Sequence, residues 1–578
     1  MIRFLIPTLA FAAAPALAAE PALTLTLAPR TTGVETTSVD VSLRFEGIGT
    51  AAGAPLLRLP LVVSNVDTVA TTLTALRAED AKGPLRLTAR DVDLPETSAR
   101  DAVTGGPSRE WTADRATVGT LSIRYTVPAG ATLPPRGPAP PFAFSNDGNA
   151  TSAAGHVFLL LPPAPHRYRT TIDWKLDDAL KGSRAFSSFG AGKVSPPEPV
   201  SGTELRMSFF MAGPVGAYPA KVPETGFFSA WQGAAPFDAN ALMQWTSTLH
   251  GHYARFFGQS VPPSYGVFLR YNPINAGGGV GLHHSFVTTF GRDGGQGTDP
   301  TQLKFTLAHE MFHTFQPFLD QPVGLAASWF GEGLATFYQT RLPLRFGLIT
   351  ADEFLADIND TAARYYTSLM ATAPNSEVPK RFWADTRIRT LPYDRGMLYF
   401  ATVDDAVRKA SGGRRSLDDL MLEMLRLQRS GQKLSTAVWE QQLRRELGEA
   451  AVADFRAFLD GAMPLPASDA FGPCFRKTTK PMRRYELGFD SAVLAEPRRI
   501  VRGLQAGSAA AQAGLRDGDE IVIPVPQDAI QGNQTAVLNL QIKRDGQSRT
   551  ISYLPRGETV DTFQWERDPG FKGNGCVL

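Results

Sequence analysis

His309-Glu310-Met311-Phe312-His313 sets two imidazoles at positions i and i+4, so on a helix both face one side and can close on a single ion. Neutral imidazole nitrogen suits Zn²⁺, and the Glu310 carboxylate beside the first histidine is placed to act as general base on a water at that ion. Glu332 stands 19 positions beyond His313, in Trp329-Phe330-Gly331-Glu332-Gly333-Leu334-Ala335. Two histidines and a glutamate leave the fourth position of a tetrahedral zinc open, the mark of a catalytic rather than a closed structural site. No cysteine lies near enough to close it.

These residues need two helices to bring them together, and the flanking sequence supplies the signals. Asp299-Pro300 offers a capping side chain and a proline at the first helical position, opening a helix that runs to about Phe315 before Pro317. Leu303, Phe305, Leu307, Phe312 and Phe315 leave that helix largely buried, which dries the metal environment and strengthens its electrostatics. A second helix is predicted over Ser328 to Arg341. Strands are predicted at Tyr265 to Tyr271 and Ser285 to Phe290, around a flexible Gly277-Gly278-Gly279, and helices at Leu417 to Gln428 and Thr436 to Leu447.

Upstream, Leu23 to Leu27, Val39 to Leu43 and Leu121 to Tyr125 alternate apolar with polar at period two, separated by proline-rich turns. Downstream of about Pro481 the chain returns to short strands, beginning Tyr485-Glu486-Leu487-Gly488-Phe489. Gly507 to Asp519 and the apolar Ile521-Val522-Ile523 follow. The expected architecture is multidomain α+β. A β-sandwich-like domain covers 20–215, a catalytic domain 216–470 and a smaller domain 481–560, with a tail at 561–578.

With 58 basic and 56 acidic residues the net charge is +2, which gives no basic surface for nucleic acid or anionic membranes. Arg3, the apolar Phe4 to Ala14 and Ala16-Leu17-Ala18 read as a signal peptide over 1–19, implying export, with the periplasm as destination. No later segment is apolar and long enough to span a bilayer. An oxidising compartment favours a disulfide between Cys474 and Cys576 over two free thiols.

The paired metal motifs resemble those of gluzincin metallopeptidases, in particular the glycyl aminopeptidase family. Tyr393-Asp394-Arg395-Gly396 is similar to that family's tyrosine motif, and Ser416-Leu417-Asp418-Asp419 to the helix start that follows it. The resemblance implies an N-terminal β domain, a thermolysin-like catalytic domain and a C-terminal PDZ domain. It also implies that Tyr393 donates a hydrogen bond to the oxyanion of a tetrahedral intermediate. In the PDZ reading, Leu487-Gly488-Phe489 offers backbone N–H groups to a peptide's C-terminal carboxylate beside a strand edge. Docking of that domain onto the catalytic domain is the alternative.

One position departs from the family. Where its members carry a glutamate implicated in binding the substrate's free N-terminus, Gly281-Leu282-His283-His284 places His283. A carboxylate attracts an ammonium group, whereas an imidazole attracts it weakly or, protonated, repels it. His283, His284 and Gly281 could line the cleft, the histidines could bind a substrate carboxylate, or they could sit in a solvated strand. The leading expectation is a Zn²⁺ peptidase of aminopeptidase type acting on peptides or proteins. An endopeptidase recruiting substrate through the PDZ domain and a non-catalytic peptide-binding protein are the alternatives. A scaffold has no need of Glu310, which argues against the last.

Overall fold

The computed structural model describes residues 20–573 and 576, apart from 34, 100–101, 130–138, 177–179, 274–275, 293–296 and 526–527. The expected signal peptide lies outside the described residues. In the N-terminal region the three alternating segments become neighbouring strands, Ala22–Thr32, Glu35–Glu46 and Leu121–Pro128, in the middle of a seven-stranded sheet. Their register puts Leu25 opposite Leu43 and Leu43 opposite Ile123, all three fully buried. A period-two pattern permits that register only, since a one-residue slip would turn the leucines to solvent. A five-stranded and a three-stranded sheet share the same hydrophobic core, giving the expected sandwich-like layering.

The middle region is built on a five-stranded sheet in the order Val215–Tyr218, Phe227–Gln232, Tyr265–Tyr271, Ser285–Phe290, Gly279–Leu282. Tyr265–Tyr271 pairs in parallel with both neighbours, and all six residues of Ser285–Phe290 are buried, as central parallel strands require. Among the described residues Gly279–Leu282 pairs only with Ser285–Phe290, which leaves its other edge open. Helices pack beneath. The motif helix is Pro300–His313, with Asp299 accepting from the Thr301 N–H at 2.8 Å. The second metal helix, Ser328–Arg345, runs a turn further than its sequence suggests, through Pro343. Leu342 and Pro343 are buried there, and packing outweighs the lost hydrogen bond of the last turn. Ser416 caps Leu417–Arg429 in a capping box with Asp419, and Asp418 accepts from the Tyr338 hydroxyl at 2.7 Å, tying that helix start to the second metal helix.

Beyond residue 470 the structure corrects two sequence expectations. Phe475–Tyr485 is one long strand paired with Arg556–Arg567, so residues 561–567 belong to a two-stranded ribbon rather than to a tail. Glu486 to Phe489 are not strand, because the ribbon ends at Tyr485 and the chain turns into a short 3-10 helix, Ser491–Ala495. Of the apolar Ile521-Val522-Ile523, Ile521 is buried and Val522 and Ile523 are exposed. A four-stranded sheet with its own small core completes the region.

The ribbon is docked on the helix Ala351–Tyr366. Asn359 accepts from the Trp565 N–H and donates to its carbonyl, both at 2.8 Å, and Trp565 is fully buried in the catalytic core. Cys474 and Cys576 are disulfide-bonded, which closes a 102-residue span around this region. Replacing both by serine is expected to lower the midpoint of thermal unfolding under non-reducing conditions. The chain-entropy account gives about 4–5 kcal/mol as the upper size of that loss. A reductant that shifts the wild type and leaves the double variant unmoved would check it.

Candidate metal centre

Buried Leu303, Leu307, Ala308, Met311 and Phe312 fix the roll of the motif helix against the core, and the Tyr253 hydroxyl donates to the Ala308 carbonyl at 3.2 Å. That roll turns His309 and His313 toward the second metal helix. His309 Nε2 lies 3.1 Å and His313 Nε2 3.3 Å from the same Glu332 oxygen. One donor atom from each of the three residues falls within 4.8 Å of the others, so a single ion can take all of them. Burial raises the Glu332 carboxyl, but the facing imidazoles of His313 and His309 outweigh it and hold the group below the usual carboxylate range. An ionised Glu332 is what a cation requires.

The remaining ring nitrogens show whether these residues fit a zinc ion. His309 Nδ1 lies 3.0 Å from Gln339 Oε1, so Nδ1 carries the proton and Nε2 keeps its lone pair for a metal. Gln339 is held in turn by the Asp357 carboxylate at 2.9 and 3.0 Å. At His313 the partner is Gln316, whose Nε2 is drawn 2.7 Å from Nδ1 while its Oε1 is buried without a partner. Turning that amide over satisfies Oε1 with the Nδ1 proton and frees His313 Nε2 for a metal. Both histidines then present Nε2 lone pairs to the Glu332 side, and the donor set fits Zn²⁺.

Glu310 is half-buried beside this group, and burial pushes its carboxyl up to about 7, against the pull of His309. A β-carbon at Gly281, on the open edge strand, would stand 3.5 Å from Glu310 Oε2, so glycine leaves room at the base. Tyr393 stacks on His309 with ring centroids 5.7 Å apart and 22° between planes. Burial and the carboxylates of Glu332 and Glu310 raise its hydroxyl well above the ordinary value, which keeps it a proton-bearing donor. The helix that carries it, Leu391–Ser411, crosses the second metal helix where Gly333 meets Gly396. A β-carbon on Gly396 would lie 2.7 Å from Gly333 Cα.

Two further groups of expected site residues can be placed, and of these His283 and His284 line the same cavity as His309, Glu310 and His313. His283 and His284 are the turn between Gly279–Leu282 and Ser285–Phe290, with His284 at φ +44°. His283 packs on Phe189, and burial with the neighbouring His284 lowers it to about 4, so it is neutral. Apart from His284, the charges that bear on it are Glu204 and Arg167 of the N-terminal domain, not those of the metal group. Leu487 and Phe489 are buried in the small C-terminal core, where the Leu487 carbonyl accepts from the Tyr553 hydroxyl at 2.8 Å. Since a 3-10 helix follows them, the strand edge that the PDZ resemblance implies is not formed there. Sequence reasoning missed Gln316, Gln339 and Gly396. Gln316 is three positions after His313 and Gln339 seven after Glu332, so helical spacing alone places both near the metal face.

All the metal-site residues and Tyr393 line one cavity of about 2510 Å³, bounded by all three regions of the chain. No family model matches the chain, and no curated protein is similar enough in sequence to count as a relative. Solved structures do resemble it. An aminopeptidase N family protein from Idiomarina loihiensis superposes with a TM-score of 0.62 at 13% identity, over 94% of this chain and 98% of that one. The chain therefore shares that protein's fold across nearly its whole length. Weaker likenesses are an M1 zinc metallopeptidase from Deinococcus radiodurans and yeast LTA4 hydrolase. The first has a TM-score of 0.44 at 16% identity, over 77% of this chain and 95% of that one. The second has a TM-score of 0.45 at 11% identity, over 77% and 68%.

Three substitutions test this geometry. Gln339→Ala and Gln316→Ala should each weaken zinc binding by about 10- to 100-fold in chelator competition, with unchanged helix content. Gly396→Ala must push two helices apart at their backbones, which should cost about 1–3 kcal/mol in denaturant unfolding.

Proposed function

We propose that this chain is a zinc-dependent peptidase of aminopeptidase type. The observation that carries the reading is the convergence of His309, His313 and Glu332 on one point with Glu310 and Tyr393 beside it. The cavity exceeds the ~300–1,000 Å³ of small-molecule pockets, which favours a peptide-sized substrate. The open edge of Gly279–Leu282 offers an extended peptide backbone a strand to pair with. The aminopeptidase assignment draws on the resemblance of the motifs and on the fold shared with an aminopeptidase N family protein.

His309, His313 and Glu332 would hold the ion, which when bound supplies Lewis acidity toward water and a peptide carbonyl. Glu310 takes a proton from the attacking water and passes it to the leaving nitrogen. The Tyr393 hydroxyl donates to the oxyanion of the tetrahedral intermediate. His283 is neutral and sits at the hairpin turn, so the ammonium group of a substrate must find its carboxylate elsewhere. The Cys474–Cys576 bond suits an oxidising compartment and, with the signal-like N-terminus, supports a periplasmic location.

Peptides with free and blocked N-termini separate the possible activities: an aminopeptidase cleaves only the free ones, and equal cleavage of both would make the enzyme an endopeptidase. Glu310→Gln should lower kcat by about 10²- to 10⁴-fold and Tyr393→Phe by about 10²- to 10³-fold, with zinc content unchanged. Glu310 works as a base only when ionised, so kcat/KM should fall as pH drops through its pKa. The bound cation lowers that pKa, which puts the acid midpoint at or below about 7. A profile flat from pH 5 to 8 would count against Glu310 as the base.

A further inference from the structure

The C-terminal region contributes a wall to the catalytic cavity. Pro524, Val525, Asp528, Gly532, Asn533 and Gln534 line the same space as His309, Glu310 and Tyr393. This segment is firmly fastened. The buried Arg556 donates to the Gln531 carbonyl at 2.7 Å, to that of Asn533 at 2.5 Å and to that of Ile530. Gln534 clasps the backbone of Arg483, accepting from its N–H at 2.7 Å and donating to its carbonyl at 3.0 Å. Gly532 is pressed on the helix Ala351–Tyr366, where a β-carbon would lie 3.0 Å from the Asp360 carbonyl.

From this wall Asp528 reaches the short helix Thr386–Arg389, accepting from Arg389 Nη2 at 2.5 Å and from the Thr386 hydroxyl. Arg389 also lines the cavity, and its charge is among those that bear on the Tyr393 hydroxyl, four residues along the chain. Its Nη2 is committed to Asp528, with Thr386 Oγ1 a further 3.4 Å contact. Among the described residues Nη1 has no hydrogen-bond partner, and Nε is buried without one. The other cavity arginine on this side, Arg364, is spent differently: its Nε and Nη2 both go to Asp394. A guanidinium oriented by one carboxylate and left with its Nη1 uncommitted in the lining of the catalytic cavity is a receptor for a second carboxylate.

Resting on the peptidase reading, we propose that Arg389, held by Asp528 of the C-terminal domain, binds the C-terminal carboxylate of a short peptide substrate. Arg389 and Tyr393 line the same cavity four residues apart in the chain, which suits a short peptide between the scissile bond and that carboxylate. Asp528 orients the guanidinium and offsets its charge while the cavity is empty. The substrate class is therefore short peptides with a free C-terminus, and Asp528 is a positioning residue.

The test is calorimetric binding to the zinc-loaded Glu310→Gln protein, with trialanine and tetraalanine as the free acids and as C-terminal amides. The acids should bind about 10- to 100-fold more tightly than the amides, the size of a charge-assisted hydrogen bond. Adding Arg389→Ala should erase that difference and leave amide binding where it was, while Arg389→Lys restores part of it. Equal binding of acid and amide, binding of neither, or a difference that survives Arg389→Ala would overturn the proposal and leave Arg389–Asp528 as a latch between domains. The acid–amide comparison needs no change at Arg389, so a poorly folding variant does not blunt it. Peptide cleavage by the wild type reads the underlying activity separately.

Discussion

Two helices of the catalytic region meet backbone to backbone where Gly333 contacts Gly396, and the geometry of the site depends on it. Gly333 follows the metal-ligand candidate Glu332, and Gly396 is three residues after Tyr393. With no β-carbon on either, the two backbones meet, and a β-carbon on either would sit under 3 Å from the other's Cα. This brings the carboxylate on one helix and the phenol on the other to the same side of His309, on which Tyr393 stacks. Around the crossing, Trp329, Phe330 and Phe400 pack as a buried aromatic cluster, so relaxation by sliding is blocked.

A second constraint is electrostatic. The site holds the Glu332 carboxyl below the usual carboxylate range while it pushes that of neighbouring Glu310 upward. The difference follows from partners: Glu332 faces two imidazoles, whereas Glu310 faces a glycine and buried surroundings. One carboxylate is thereby suited to hold a cation and the other to exchange a proton. Gln316 and Gln339 extend the division outward. Each fixes the tautomer of one histidine without adding charge, and the charge needed to anchor Gln339 is set one step away on Asp357.

The metal set was legible in the sequence because its determinants are local. An i, i+4 histidine pair, an Asp-Pro helix start and a glutamate on the next helix are each readable within a few residues, and strands Tyr265–Tyr271 and Ser285–Phe290 followed from apolar runs between turns. The partners that orient the site were less legible. Gly396 matters through a contact 63 positions away at Gly333, and nothing in a glycine's neighbours announces a helix crossing. Leu487 to Phe489 misled for a related reason. The motif reads locally as a loop before a strand, but burial of both apolar side chains and the bond from Tyr553 turn the chain into a 3-10 helix instead.

The position of the C-terminal region bears on what kind of peptidase such a site can be. A recruiting module must be free to present its ligand edge, and a long flexible attachment would serve it. Here the attachment is the opposite: a paired ribbon with Trp565 buried in the catalytic core, the Asn359 clasp, a disulfide and the Asp528 contacts with Thr386 and Arg389. Together they hold the C-terminal region against the catalytic one, with Asp528 tied to the helix that precedes Tyr393. A wall held that firmly beside the catalytic residues narrows the space in which substrate can extend past them. Under the proposed activity, the same attachment would set a limit on substrate length.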